Sequence, residues 1–139
     1  MGQKVHPIGF RLGVIKKHNA LWYAKGKAFK INLIEDLKVR AYIKERLRFS
    51  SISKVELERS AQNFVVNIHT SRPGIIIGKK GEEIESLKSA IQKLVTQNVQ
   101  INIKEVRKPD IDATILAEGI AQQLERRVQF RRAMKRAVQ

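Results

Sequence analysis

A glycine-lysine-lysine-glycine tetrad, Gly78 to Gly81, is the feature that most constrains this chain of 139 residues. It joins an apolar run to a helical pattern. Glycine has no Cβ, so the backbone at Gly78 and Gly81 can adopt positive φ and approach a ligand closely, while Lys79 and Lys80 supply positive charge. Such a turn can hold a nucleic-acid strand by its sugar-phosphate backbone. Alone it is a weak signal, because any helix-turn-helix with glycines in the turn matches it.

The residues on both sides of the tetrad strengthen its interpretation as a nucleic-acid-binding turn. A period-two strand pattern is indicated by Phe64, Val66 and Ile68, which alternate with Val65, Asn67 and His69, and Arg72-Pro73-Gly74 ends that strand. Downstream, one apolar helix face is formed by Ile84, Leu87, Ile91 and Leu94. A third strand is indicated by Val99, Ile101 and Ile103. The tetrad therefore lies in a unit of strand, short helix, turn, helix and strand.

Residues 28–48 have a helical pattern, with one predicted face formed by Phe29, Leu33, Leu37, Ala41 and Leu47. A strand at residues 54–58 turns through Ser60–Asn63 into the next strand as a hairpin. The predicted fold is α+β, in the order helix, strand, strand, helix, helix, strand. The first two strands should be antiparallel and the third parallel to the second, giving a mixed three-stranded sheet with helices on one face. This order resembles the type II KH domain, and we assign it to residues 28–108.

Residues 1–27 show little periodicity and are predicted to form an extended basic arm without any acidic residue. Trp22 and Tyr23 offer flat faces that could stack on bases or pin the arm to its own domain, and the sequence leaves both interpretations open.

Residues 109–139 are predicted to form one basic helix, capped by Asp110 or Asp112. Its apolar face is formed by Leu116, Ile120, Leu124 and Val128. Near its end, cations lie at spacings of four, at Arg127, Arg131 and Lys135, with Arg132 and Arg136 beside them. Because like charges at this spacing repel, we expect an external anion to compensate them.

The overall charge points to the same kind of partner. With 28 Lys and Arg against 13 Asp and Glu, the formal net charge is +15, which indicates polyanionic surroundings. A membrane is disfavoured because no apolar run approaches the roughly twenty residues of a spanning helix. The chain has no cysteine and its three histidines are scattered, so we predict no metal site and no cofactor. The glycine spacing matches neither a P-loop nor a dinucleotide-binding fingerprint.

Several motifs, in order along the chain, resemble the bacterial-type small-subunit ribosomal protein S-three family. They are Met1–Pro7, Gly9–Gly13, Arg72–Gly74 with the tetrad, Glu105–Pro109, Leu124–Arg127 and Phe130–Arg136. The resemblance implies a cytoplasmic or organellar small ribosomal subunit, in whose head the chain would bind rRNA beside the proteins S-ten and S-fourteen. It also implies that Arg131, Arg132 and Lys135 line the channel by which mRNA enters the ribosome and help to unwind structured mRNA. The residues predicted to bind rRNA are Lys4, Arg11, Lys16, Lys17, Arg72, Arg107, Lys108, Arg126, Arg127 and Arg136.

Family members continue beyond Gln139 into a second α/β domain, so the chain is expected to be a fragment or the ordered part of a longer product. Two other classes of protein would also use such a basic surface. A free KH-type factor in RNA processing or ribosome assembly would explain the same features. A nuclease would need clustered carboxylates or a histidine pair, whereas Asp110 and Asp112 are better explained as helix caps, and we predict that the protein is not an enzyme.

Overall fold

The protein, described by a computed structural model over residues 2–78 and 81–138, is built on a four-stranded mixed sheet. Lys79 and Lys80 therefore lie outside the described residues. In chain order the elements are α1 (Pro7–Arg11), β1 (Ala20–Leu21), α2 (Lys27–Arg46), β2 (Ile52–Arg59), β3 (Asn63–Thr70), α3 (Pro73–Ile77), α4 (Glu82–Gln92), β4 (Asn98–Glu105), a 3-10 turn (Pro109–Ile111), α5 (Ala113–Glu125) and α6 (Phe130–Val138).

The predicted strand pairing is confirmed. β2 and β3 are antiparallel, with Leu57 opposite Val66, and β3 and β4 are parallel, with Val66 opposite Ile101. The sheet has one strand more than predicted, because the arm contributes β1 parallel to β2. The carbonyl of Asn19 accepts hydrogen bonds from the Leu57 backbone N–H at 2.9 Å and from the Arg40 guanidinium at 2.6 Å. The arm also contains the short helix α1 and is therefore not extended throughout.

The hydrophobic core lies between one face of the sheet and helices α2, α3 and α4. The residues buried there are Val39, Ile43, Leu57, Phe64, Val66, Ile68, Ile76, Leu87, Ile91, Val95 and Val99. The strand residues among them share one face because side chains alternate along a strand. The helices of the KH unit therefore cover a single face of the sheet, as predicted.

The buried face of α2 is not the one predicted from the sequence. Phe29, Leu33 and Leu37 are 48%, 42% and 59% exposed, whereas Val39 and Ile43 are fully buried. Apolar residues occur on every side of this helix, so periodicity alone cannot choose between its faces.

A buried ion-pair network explains why the Val39–Ile43 face of α2 is the buried one. The guanidinium of Arg59 donates to Asp36 at 2.7 and 3.0 Å and to Glu35 at 2.9 Å, and the side chains of Arg59 and Asp36 are each 4% exposed. The indole of Trp22 donates to the other Asp36 oxygen at 2.7 Å, and Gln97 accepts from Arg59 at 3.3 Å. A buried charge is costly without partners, so the Arg59 guanidinium requires Asp36 to face inward. This fixes the rotation of α2 about its axis, and Val39 and Ile43 are therefore the residues that enter the core.

The connection between α3 and α4 needs glycine at its first position. Gly78 ends α3 with φ +70° and ψ −172°, a region that residues with a Cβ avoid. A Cβ on Gly78 would lie 2.5 Å from Cγ and 2.7 Å from Cβ of Glu83. Gly81 precedes α4 in the left-handed conformation, with φ +83°. Both glycines of the tetrad therefore have the positive φ that the sequence predicts.

The C-terminal segment forms two helices where one was predicted. Asp112 caps α5, accepting from the backbone N–H groups of Thr114 at 2.9 Å and Ile115 at 3.2 Å. The helix ends where Arg127 adopts φ +60°, and the N–H of Val128 bonds to the Gln123 carbonyl at 3.1 Å. This is a Schellman ending, which redirects the chain into α6.

We expect Asp36→Ala to lower the free energy of unfolding by about 3–5 kcal/mol, because it removes the acceptor of the Trp22 indole and leaves the buried Arg59 guanidinium with Glu35 as its one carboxylate. The measurement is urea denaturation followed by the fluorescence of Trp22, the only tryptophan. Glu45→Ala, at an exposed position of the same helix, is the control and should change stability by less than about 0.5 kcal/mol. Equal stability of the two variants would show that the network does not stabilise the fold.

We expect Gly78→Ala to destabilise the protein by about 2–4 kcal/mol, because the new Cβ meets Glu83 and the backbone is strained. Gly119→Ala is the matched control, since nothing lies within 4 Å of its added Cβ and it is in the middle of α5. The control should raise stability by about 0.5–1 kcal/mol through helix propensity. Thermal unfolding monitored by circular dichroism measures both, and destabilisation by both variants would contradict the argument.

Candidate nucleic-acid interface

Helix α3 begins three residues after the end of β3, at the end of the sheet where the parallel strands β3 and β4 finish. Thr70 is opposite Glu105 at that end, and the Val106 N–H bonds to the Thr70 carbonyl at 2.9 Å. Arg72 lies two residues after the end of β3, and Arg107 and Lys108 lie two and three residues after the end of β4, so the pairing brings these three predicted sites to one end of the sheet. All three are exposed.

The first turn of α4 carries Glu82, Glu83 and Glu85 immediately after the tetrad. These carboxylates suit the positive end of the helix dipole but repel phosphate. Arg46, near the end of α2, lies 3.9 Å from Glu83 and donates to the Ser86 hydroxyl at 3.1 Å. Arg46 thus offsets part of the negative charge and holds α4 beside α2. Sequence patterns gave no sign of this role, because Arg46 and Glu83 are far apart in the chain.

The arm presents its cations to the outside. Lys4, Arg11, Lys16 and Lys17 are all exposed. The structure decides between the two interpretations of the aromatic pair. Trp22 is held by Asp36 and packs on Phe29 at a ring distance of 5.5 Å, so it pins the arm to the domain. Tyr23 is 82% exposed, with Lys25 6.0 Å from its ring, and this face is available for stacking.

Helix α6 presents a broad cationic face. Ala133 is fully buried, whereas the four cations of the helix, Arg131, Arg132, Lys135 and Arg136, are all exposed. The helix has no acidic residue, and within residues 2–78 and 81–138 none of these four cations forms an ion pair. Arg127 does not share this face, contrary to the prediction, because it lies in the break before α6. Arg126 and Arg127 are nevertheless exposed.

The outer face of the sheet has a different character, because its charges are paired. Glu56 accepts from Lys54 at 2.6 Å, lies 3.0 Å from His69 Nε2 and 3.8 Å from Lys104. The Lys54 hydrogen bond, opposed by burial and supported by the bond to His69, lowers the pKa of Glu56 to about 2. Asn67 donates to Glu58 at 2.8 Å on the same face. This face therefore adds little to the cationic surface.

In the part of the chain that the structure describes, no group of three or more His, Cys, Asp or Glu side chains could hold a metal ion. Over those residues, too, no helix is both long and apolar enough to cross a bilayer.

Comparison with known proteins agrees with the KH arrangement of strands and helices described above. Proteins named "Small ribosomal subunit protein uS3" from Pseudomonas fluorescens (strain Pf0-1) and Pseudomonas syringae pv. tomato are each 54% identical to the chain over all 139 residues, and the one from Stutzerimonas stutzeri is 53% identical. These matches confirm the resemblance to the S-three family. The chain spans 61% of the length of each of these relatives. The KH domain family matches residues 38–111, which contain α2 from Lys38 onward, β2 to β4 and the glycine tetrad. Because this match covers more than half of the chain, the protein belongs to the KH domain family.

Proposed function

We propose that the protein is a structural component of the small ribosomal subunit that binds small-subunit rRNA. The observation that carries the proposal is the surface of exposed and mostly unpaired cations on the arm, at the ends of β3 and β4, and on α6. Support comes from similarity over the whole chain to proteins named as small ribosomal subunit proteins. A net charge of +15 on a single KH unit with basic extensions suits a permanent place against a polyanion.

Each basic segment has its own part in the proposal. Cations of the arm and at the ends of β3 and β4 neutralise phosphates and fix the orientation of the domain on rRNA. Tyr23 adds a stacking surface. The neighbours in the head of the subunit would be the proteins S-ten and S-fourteen.

We assign Arg131, Arg132 and Lys135 of α6 to the channel by which mRNA enters the ribosome. Their side chains share an acid-free face, so they can hold separated strands by the phosphates and oppose re-pairing. The buried Ala133 packs α6 toward the rest of the chain and leaves this face open. The residues would act by binding alone, without hydrolysing anything.

The affinity of the isolated protein for rRNA should fall by about one to three orders of magnitude over a fourfold increase in salt, because binding releases counterions from many phosphates. Filter binding between low and moderate salt measures the slope. An affinity that hardly changes with salt would contradict binding through phosphate contacts.

Replacing Lys79 and Lys80 by Asp tests the tetrad. If the tetrad contacts RNA, the double substitution should weaken RNA binding and leave the unfolding midpoint unchanged, since both glycines remain. Lys88→Asp with Lys93→Asp, at exposed positions on α4 and just after it, makes the same charge change. Equal losses of RNA affinity from the two double substitutions, or no loss from either, would show that the tetrad only connects two helices. The three neighbouring glutamates, which repel phosphate, would be consistent with that result.

Replacing Arg131, Arg132 and Lys135 together by Ala should preserve folding, because Ala favours the helix and like-charge repulsion is relieved. Incorporation into subunits should also persist, since the arm and the KH domain are unchanged. We expect translation to slow on messages with stable hairpins and to stay near normal on unstructured messages.

The control for this experiment removes three other exposed cations, Lys88, Lys93 and Lys104, and should spare hairpin passage. If the triple variant slows translation equally on both kinds of message, or on neither, the entry-channel role is wrong and the three residues would be assigned to rRNA binding alone.

A further inference from the structure

Thr70 joins three segments of the chain at the end of the sheet where β3 and β4 finish. Its hydroxyl donates to the Ser50 carbonyl at 2.5 Å and accepts from the Arg72 backbone N–H at 3.0 Å. Its own carbonyl accepts from the Val106 N–H at 2.9 Å. Thr70 is fully buried and Ser50 is 2% exposed. Because buried polar groups keep their hydrogen-bond partners, the turn after α2 and the segments after β3 and β4 are fixed relative to one another.

The turn after α2, residues 47–51, is held by further bonds. The Ser50 N–H donates to the Leu47 carbonyl at 2.9 Å, and the Ser51 carbonyl accepts from the Ser71 N–H at 3.3 Å. Ser51 has φ +49°, a left-handed conformation that residues with a Cβ seldom adopt. Such a conformation persists only where the surrounding structure imposes it. The turn is therefore preorganised.

Phe49 lies at the exposed side of this turn, with 65% of its surface accessible. A single exposed apolar side chain is ordinary on a protein surface. The ring of Phe49 differs from an ordinary one in its surroundings, because its sequence neighbours and the segment bonded to its turn are polar. They are Arg48, Ser50, Ser51, Ser71 and Arg72. A protein partner would find one apolar side chain here and no apolar patch, which is a poor basis for a protein interface.

The junction at Thr70 brings Phe49 to the same end of the sheet as three exposed cations. They are Arg72, Arg107 and Lys108, and over residues 2–78 and 81–138 none of them forms an ion pair. Arg48 is already engaged by Glu125. Glu105 and Asp110 are also exposed on these connections, so the excess of positive charge is small. A neutral aromatic surface adds affinity for RNA that this small excess of charge does not supply.

We propose that Phe49 stacks on an unpaired base of RNA whose neighbouring phosphates are held by Arg72, Arg107 and Lys108. The inference rests on the proposed rRNA-binding function and deepens it by naming a contact to a base. An aromatic ring accepts the face of any base, so Phe49 selects unpaired nucleotides over paired ones and does not select one base over another. Because the turn is preorganised, little conformational freedom is lost on stacking.

The salt dependence of binding separates stacking from phosphate contact. Binding of the full chain to small-subunit rRNA is measured over a range of salt concentrations. Phe49→Ala should lower the affinity by about tenfold at every salt concentration, because a lost stacking contact releases no counterions. Arg72→Ala should instead reduce the slope of log affinity against log salt by about one. A second probe is a single-stranded RNA oligonucleotide carrying 2-aminopurine, whose fluorescence stacking quenches, and Phe49→Ala should reduce that quenching.

Substitutions at the same position separate the ring face from apolar bulk. Phe49→Tyr keeps the face and should retain the affinity of the parent chain, whereas Phe49→Leu keeps apolar bulk and should lose affinity as Phe49→Ala does. Phe130→Ala is the matched control, since Phe130 is 64% exposed, and it should leave rRNA affinity unchanged. All these variants should keep the unfolding midpoint in urea. If Phe49→Ala lowers that midpoint, p-benzoylphenylalanine in place of Phe49 decides, because it keeps an aromatic side chain and should link to RNA on irradiation.

Several outcomes would overturn the proposal. They are an unchanged affinity of Phe49→Ala, a salt slope that changes as it does for Arg72→Ala, equal affinities of the Tyr and Leu variants, equal losses from Phe49→Ala and Phe130→Ala, or a photoproduct with protein in place of RNA. Failure of the parent chain to bind small-subunit rRNA would contradict the proposed function. The quenching of 2-aminopurine would still decide whether Phe49 stacks on a base.

Discussion

The buried Arg59 network is the interaction on which the rest of the structure depends. It joins the arm through Trp22, helix α2 through Glu35 and Asp36, strand β2 through Arg59 itself and the start of β4 through Gln97. Arg59 also lies 4.4 Å from the ring of Phe64, so its charge faces an aromatic surface of the core. A guanidinium has five donors in a fixed fork, and only a matching set of acceptors makes its burial tolerable. The network thereby fixes the rotation of α2 and the position of the arm together.

This rotation decides which apolar side chains of α2 are buried and which are exposed. Turning Asp36 inward places Val39 and Ile43 in the core and leaves the more regular apolar series of Phe29, Leu33 and Leu37 outside. The same interaction that secures the KH fold therefore also decides that these three apolar side chains are exposed.

Charge is arranged by element over the surface. The outer face of the sheet pairs its lysines with Glu56, and α4 begins with three glutamates, whereas α6 and the arm carry cations with no acid on the same element. Like charges are costly to an isolated helix and become favourable only when a polyanion is bound. The distribution therefore supports the proposal that the extensions and the ends of β3 and β4, more than the sheet itself, contact RNA.

The sequence by itself determined the order of elements within the KH unit, the pairing of β2, β3 and β4, the positive φ of Gly78 and Gly81 and the exposure of the cations. Each of these follows from local chemistry, namely side-chain alternation, the missing Cβ and the cost of burying charge. Only the tertiary structure decided which face of α2 is buried, that Asn19 recruits the arm as a fourth strand, and that the C-terminal segment breaks at Arg127. The first two depend on partners more than twenty positions away, such as Arg59 for Asp36 and Arg40 for Asn19. The break depends on a left-handed residue that is not glycine, which no periodicity indicates.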